Sequence, residues 1–166
     1  SSGMGIERDS EQILTQACTI LEPAHAKFGP SSLGMFEKCP GYQNRNEETD
    51  ASARGTRIHK ALEKNEIEAL SEEERPVAQR CQDFVDSLIA DRLPTLPDND
   101  YREIRLPIAL HAGIDTFGTG DRLLIYGTHG DMLDYKSGYR AITDASENAQ
   151  AFCYVIGAFQ KFLILQ

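Results

Sequence analysis

The chain has 166 residues, the length of one domain of ordinary size. Hydrophobic residues make up 40% and charged residues 26%, which is normal for a soluble globular protein. The net charge of −9 argues against a protein that coats nucleic acid with a broadly basic surface, although a local basic strip would still hold a phosphate backbone. The sequence contains neither a membrane-length apolar run nor a signal-peptide pattern, and we expect a cytoplasmic protein.

The cysteines are scattered along the chain and form no CxxC pair: Cys18, Cys39, Cys81 and Cys153. This spacing argues against a zinc ribbon and against a secreted disulfide framework. We therefore expect four reduced thiols in an intracellular protein.

The first part of the chain has the composition of helices. Apolar residues recur at helical spacing, and helices are expected over 9–22, 31–38, 51–70 and 71–92. Ser31 or Ser32 is expected to cap the second of these, and Ser71 with Glu74 has the pattern of a capping box. Pro94 ends the last one. A polar loop is expected over 42–52.

After residue 98 the pattern changes to short segments rich in β-branched and aromatic residues and separated by glycines. Strands are expected over 101–110, 113–120, 121–127 and 131–137, followed by a helix over 145–164. This order predicts an α/β or α+β domain with three or four antiparallel strands. We expect one domain over 4–166, mainly helical over 4–98 and with its sheet over 99–166. Ser1–Gly3, ahead of Met4, look like a remnant of tag cleavage.

The densest polar pattern lies on the two strands around the glycine-rich turn 127–130. If the loop is Gly127-Thr128, Asp121 lies directly across from Asp134; if the loop is 127–130, Asp121 faces Lys136. Both registers place the three side chains on one face of the sheet, whereas a three-residue loop would separate them. Two carboxylates so close repel each other unless a cation lies between them, and Mg²⁺ takes such oxygen ligands. Lys136 would project beside that ion and orient or help deprotonate an attacking water.

The other interpretation is a surface hairpin whose aspartates and lysine are only solvated or paired. Exposed pairs of this kind contribute little to stability. Spacing alone leaves the two interpretations open.

Four motifs in order resemble the RecB-like and Cas4-like branch of the PD-(D/E)XK nucleases, the phage-encoded members included. Gly120-Asp121 followed by 134–138 (DYKSG) resembles its "GxxD … DYKTG" core, and 54–63 (RGTRIHKALE) resembles its "GTxxHxxLE" helix. Residues 148–154 (NAQAFCY) resemble its "QxxxY" helix, and 31–41 its "SxSxxxxxxxCP" segment. The resemblance covers roughly residues 30–160.

The resemblance implies a restriction-endonuclease-like core, a small and mostly antiparallel sheet flanked by helices behind an N-terminal helical part. It implies a deoxyribonuclease, in particular an exonuclease, of DNA recombination, repair or phage DNA metabolism in a bacterium or a phage-infected cell. Its cofactor would be Mg²⁺ or Mn²⁺. DNA is the expected partner, and a single-strand annealing or recombination protein is a further one. Cys39 resembles the first cysteine of iron–sulfur members, but the three later cysteines of those members are absent, so no [4Fe-4S] cluster is expected.

Site residues are carried over position by position. The expected catalytic residues are Asp121, Asp134 and Lys136, and the expected metal ligands are His59, Asp121, Asp134 and Tyr135. Gln150 and Tyr154, at i and i+4 of one helix, are expected to bind DNA phosphate or orient Lys136. The expected contacts to the DNA backbone are Arg54, Arg57 and Lys60.

Some expectations concern neighbouring positions. Glu103, in the preceding strand, is an auxiliary acid or simply part of a strand edge. Asp131 lies an odd number of residues from Asp134 and should point away from the site. The family core has further strands after its "QxxxY" helix, whereas this chain ends in an apolar segment, so a minimal variant, a partner-supplied edge, a truncation and self-association into a homo-oligomer are all open.

Two other functions are consistent with the same residues. One is a catalytically silent DNA-end-binding or protein-interaction module that keeps the nuclease fold. The other is a metallohydrolase in which these carboxylates serve a small phosphoester.

Overall fold

A computed structural model of the chain describes residues 26, 28–43, 49–110, 114–138 and 144–162. Within these residues it is an α/β structure with a three-stranded antiparallel sheet and four helices. The helices are α1 (Leu33–Lys38), α2 (Asp50–Lys64), α3 (Arg75–Asp91) and α4 (Ala149–Phe162), and the strands are β1 (Asn99–Leu110), β2 (Ile114–Tyr126) and β3 (His129–Leu133). The helix expected over 9–22 lies outside the described residues.

The sheet has the order β1-β2-β3, with β2 in the centre. Tyr126 pairs with His129, so the hairpin loop is Gly127-Thr128, and Gly127 adopts a φ of +58°. The last β2–β3 pair joins Arg122 to Leu133. Extended by one position, this register would set Asp121 across from Asp134, which is the first of the two registers that the sequence left open, although the strand pairing itself ends at Leu133.

Two strand predictions were wrong. The two strands expected over 113–120 and 121–127 are replaced by one continuous strand, Ile114–Tyr126, because its glycines accommodate neighbouring side chains instead of ending the strand. A Cβ at Gly118 would lie 2.6 Å from a ring atom of Tyr154 and 2.8 Å from Pro30, and one at Gly120 would lie 2.9 Å from the Met132 sulfur. The strand expected over 131–137 is β3, which ends at Leu133, so residues 134–138 leave the sheet.

The helix boundaries also differ from the prediction. A capping box between Thr49 and Ser52 begins α2, and left-handed Asn65 (φ 59°) ends it six residues before the expected end. The Ser71 hydroxyl accepts from the Glu74 backbone N–H, but the Glu74 carboxylate binds Arg57 instead of closing a capping box, and α3 begins only at Arg75.

The sheet lies between two helical layers. Leu123 packs in one cluster with Leu106 and Tyr154 of α4, whereas Leu124 packs with Val85 of α3. Adjacent strand residues point to opposite faces, so α4 covers one face and α3 the other. The helix α2 packs on α3 through a third cluster that includes Ile58, Leu62 and Ala78. None of the described helices is long and apolar enough to cross a membrane.

The segment before α2 is anchored on β2. Pro30 opens a 3-10 turn (Pro30–Ser32) that contacts Gly118, and the Thr116 hydroxyl donates to the Phe28 carbonyl at 2.9 Å. Ser32 occupies the N-cap position of α1 but makes no side-chain capping bond, because its backbone is already helical after the turn. The expected serine cap was therefore wrong.

Candidate metal centre

The first carboxylate of the site comes from the central strand. Asp121 is only 8% exposed, and its two oxygens have different partners. Oδ1 lies 3.1 Å from His59 Nδ1, and Oδ2 accepts from the backbone N–H of Tyr135. The hydrogen bond to Asp121 raises the pKa of His59 above its usual value. The helix α2 and the chain that leaves β3 thus converge on Asp121.

Glu103 completes a compact donor group. Its neighbours Arg102 and Ile104 pair with residues 122 and 120 of β2. Glu103 therefore lies across from Asp121, on the edge of β2 that faces away from β3. One ligand atom each from His59, Glu103 and Asp121 lies within 4.8 Å of the others. Burial and the charge of Asp121 raise the pKa of the Glu103 carboxyl.

Glu103 has a φ of +48°, although it is a non-glycine residue inside a strand. Such a left-handed conformation costs about 1–3 kcal/mol and persists only where the surrounding structure holds it, most often at functional sites. The strain at this position therefore agrees with a role for the carboxylate in the site.

The second carboxylate belongs to a network on α4. Asp134 forms an ion pair with Lys136, and its Oδ1 accepts from Gln150 Nε2 at 3.3 Å. Gln150 Oε1 accepts from Lys136 Nζ at 3.1 Å, and Gln150 Nε2 also lies 3.0 Å from the Tyr154 hydroxyl. Burial raises the pKa of Asp134 and that of Tyr154, the latter to about 12. Gln150 therefore holds both members of the Asp134–Lys136 pair in place.

Both groups open into one cavity of about 760 Å³. Its polar lining consists mainly of the side chains just described: His59, Glu103, Asp121, Asp134, Lys136, Gln150 and Tyr154. Three carboxylates thus share a cavity with one lysine and one histidine. This excess of negative charge, together with imidazole and carboxylate donors, fits a divalent cation such as Mn²⁺ or Mg²⁺.

Asp134 stands slightly apart from the compact group. It is absent from the set of donor atoms within 4.8 Å, and one of its oxygens is occupied by Lys136. The expected ligands were His59, Asp121, Asp134 and Tyr135. The compact group contains the first two of these together with Glu103.

The three residues expected to contact the DNA backbone all lie outside the cavity lining, and each has different surroundings. Arg57 donates to buried Glu74 at 2.6 Å and 2.9 Å, away from the cavity lining. Arg54 donates to the Ser137 carbonyl at 3.3 Å, and so ties α2 to the segment that carries Lys136. Lys60 is exposed on α2 and does not line the cavity.

Tyr135, an expected ligand, has its ring among the hydrophobic residues of α2 and α3, with its face at 85° to the His59 ring and 5.9 Å between centroids. Its backbone N–H supports Asp121. Asp131 points away from the site, as expected, and binds Arg92 at 3.0 Å.

Two features of the site do not follow from the motifs. Glu103 was expected to be an auxiliary acid or simply part of a strand edge, since no motif spacing links β1 to the hairpin. Aromatic residues that line the same cavity were not considered at all; they are Phe28, Phe36, Tyr42 and Phe117. The nearest signal was the density of aromatic residues around the 31–41 segment.

Comparison with known proteins gives one match. A protein-family model described as a protein of unknown function (DUF2800) matches residues 102–166. The matched part contains most of the sheet and α4, including Glu103, Asp121 and Lys136, whereas His59 lies outside it. No curated protein and no solved structure matches the chain.

Proposed function

We propose that this protein is a metal-dependent deoxyribonuclease of the PD-(D/E)XK type that acts as an exonuclease. The observation that carries the proposal is that His59, Asp121, Asp134 and Lys136, which come from three separate segments, line one cavity. Their order along the chain and the motifs around them resemble the RecB-like and Cas4-like nucleases. The preference for an exonuclease rests on that resemblance.

The donor group would hold one Mg²⁺ or Mn²⁺, with His59, Glu103 and Asp121 nearest and Asp134 beside them. When bound, the ion supplies Lewis-acid polarisation of the scissile phosphate. A cation would bind the neutral imidazole of His59. The contact between His59 Nδ1 and Asp121 Oδ1 orients that ring.

Lys136 supplies the fixed positive charge of the site. Asp134 and Gln150 hold its ammonium at the cavity wall, where it can orient a water molecule and offset the negative charge that develops on the phosphate. Preorganised donors of this kind typically contribute about 10²–10³-fold in rate. Lys60, exposed on α2, is our proposed contact to the DNA backbone. A recombination protein as a partner and self-association also remain proposals.

The test is digestion of linear duplex, single-stranded and circular DNA with Mg²⁺ or Mn²⁺. We expect the linear forms to be degraded and the circular form to persist. Asp121→Asn and Lys136→Ala should each lose at least about 10²-fold in rate. Asp115→Asn, on the same strand, and Lys64→Ala, on α2, are exposed control variants that should stay active.

Three results would overturn or redirect the proposal. Full activity of Lys136→Ala would refute the assigned chemistry. Cleavage of a chromogenic phosphodiester without cleavage of DNA would favour a small-molecule phosphoesterase. Metal binding with no hydrolysis of any substrate would favour a silent DNA-end-binding module.

A further inference from the structure

The cavity has an aromatic side in addition to its acidic one. Four rings, which we call the aromatic wall, line it: Phe28, Phe36, Tyr42 and Phe117. The centroids of Phe28 and Phe36 lie 5.3 Å apart, and those of Phe36 and Tyr42 lie 5.6 Å apart. None of the four is fully buried, and Phe28 is 49% exposed. The rings therefore form a surface of the cavity and are not sealed inside a core.

The wall is held on the sheet by specific contacts. The turn at Pro30 packs against Gly118, and the Thr116 hydroxyl binds the Phe28 carbonyl. The Arg105 guanidinium lies 3.6 Å from the centroid of the Phe117 ring. Gly118 also contacts Tyr154 of the site network, so the aromatic and acidic sides are joined through one strand position.

The charge of the cavity limits what this wall can bind. Among the described residues, Lys136 is the one lysine or arginine that lines the cavity, and the chain carries a net charge of −9. A ligand held mainly by phosphate contacts would need more cations than this. Flat apolar rings instead suit the faces of nucleobases, and stacking on aromatic side chains contributes about 1–3 kcal/mol per base.

Stacking of several successive bases on protein rings requires unpaired bases, because in a duplex only the outer face of the terminal base pair is uncovered. The cavity volume of about 760 Å³ falls within the roughly 300–1,000 Å³ of sites for small molecules, so the cavity can accommodate a few nucleotides. Both properties favour a single strand.

We propose that the aromatic wall stacks the unpaired terminal bases of a DNA strand and thereby delivers its phosphate to the acidic side of the cavity. The substrate is then a single strand or a frayed end, and an intact blunt duplex is a poor one. This inference rests on the proposed nuclease function, because it names the substrate of that site.

Binding can be measured separately from cleavage, in EDTA, by fluorescence anisotropy of labelled oligonucleotides. A short single strand should bind more tightly than a blunt duplex and more tightly than a strand of abasic sugar-phosphates of equal charge. Affinity for the single strand should change only weakly with salt, because few of the described residues that line the cavity are cationic.

Ring variants test the wall itself. Phe28→Leu and Tyr42→Leu keep apolar volume but remove the aromatic faces, and each should weaken single-strand binding about five-fold or more while leaving abasic-strand binding unchanged. Phe84→Leu, an exposed ring on α3 outside the cavity, is the matched control. A terminal 2-aminopurine should be quenched on binding to the unaltered protein and less so on binding to Phe28→Leu.

Equal affinity for normal and abasic strands, or unchanged binding by both ring variants, would overturn the inference. Because these measurements contain no metal, they do not depend on catalysis. Base-dependent binding with no nuclease activity would refute the proposed function alone, and cleavage of DNA without base-dependent binding would refute the aromatic wall alone.

Discussion

Two polar clusters lie side by side on β2, and their charges are balanced differently. Arg122 is 3% exposed and donates to both oxygens of Asp100, at 2.9 Å and 2.8 Å, so that one guanidinium meets one carboxylate. Asp121, the preceding residue, belongs to the cavity in which three carboxylates face one lysine. The two clusters differ in charge balance although they occupy consecutive positions of one strand.

We interpret the difference as that between a structural cluster and a functional one. A bidentate pair between the buried guanidinium of Arg122 and the partly exposed carboxylate of Asp100 fixes β1 against β2 and leaves no charge to neutralise. The carboxyl groups of Glu103 and Asp134 instead have raised pKa values, chiefly because burial disfavours their charged forms. An arrangement of this kind gains stability when a cation binds to it.

The largest effect is expected from a substitution that removes the Arg122–Asp100 pair. Arg122→Ala removes two hydrogen bonds to Asp100 and should destabilise the protein by about 3 kcal/mol, because each bond between charged groups contributes about 1.5 kcal/mol or more. Asp121→Asn, in the absence of metal, should change stability by no more than about 1 kcal/mol, because its amide oxygen can still accept a hydrogen bond. Urea unfolding of both variants in EDTA measures the contrast. Equal destabilisation would mean that both clusters are structural.

The second effect follows from adding a divalent cation. Mn²⁺ at 100 times its dissociation constant should stabilise the folded protein by about 2.7 kcal/mol, seen as a raised melting temperature. Glu103→Gln removes one charged donor of the compact group and should lower Mn²⁺ affinity. Asp115→Asn, outside the cavity, should respond to Mn²⁺ like the unaltered protein. A melting temperature that does not change with Mn²⁺ would mean that the acidic cluster binds no cation, and the two clusters would no longer differ in function.

A smaller effect separates support of the site from its chemistry. Gly157 is where α4, the helix that carries Gln150, approaches β1, and a Cβ there would lie 2.9 Å from Leu106. Gly157→Ala should therefore destabilise the protein by about 1–3 kcal/mol and misplace Gln150. Gly34→Ala, where a Cβ meets no atom within 4 Å, should not. Thermal unfolding of the two variants measures the difference. Equal melting temperatures would show that α4 and β1 can move apart at little cost in stability.

The smallest effect concerns the pair Arg57–Glu74, a second matched cluster. The Arg57 hydrogen bond lowers the pKa of Glu74, so its contribution to stability is present above the ordinary pKa and is lost as the pH falls through the lowered value. Glu74→Gln should thus be less stable than the unaltered protein at neutral pH, with the gap closing in acid. A constant gap across this range, measured by urea unfolding, would contradict the assignment.

The part of the site on the hairpin could be predicted from the sequence. The period of two along a strand places Asp121 and Asp134 on one face whenever the loop has an even number of residues, and the structure has the two-residue loop. His59 and Gln150 came from motifs on helices, whose positions in the sequence say nothing about distance. Their approach to the carboxylates depends on how α2 and α4 pack.

Other features depend on contacts between distant segments. Nothing in the spacing marks Glu103 as left-handed, because that conformation is imposed by its surroundings in the sheet. Gly118 and Gly120 were interpreted locally, as a break between strands, whereas their neighbours Pro30 and Met132 come from elsewhere in the chain. The aromatic wall was missed for the same reason, since the Pro30 turn docks on β2 only in the folded protein.

The central claim is that the unbalanced carboxylates form a cation site. Crystals of the unaltered protein soaked in Mn²⁺ and measured at the manganese absorption edge test it most directly. We predict an anomalous peak in contact with His59 and Asp121, within reach of Glu103 or Asp134. A well-ordered cavity with no peak at saturating Mn²⁺ would contradict the account.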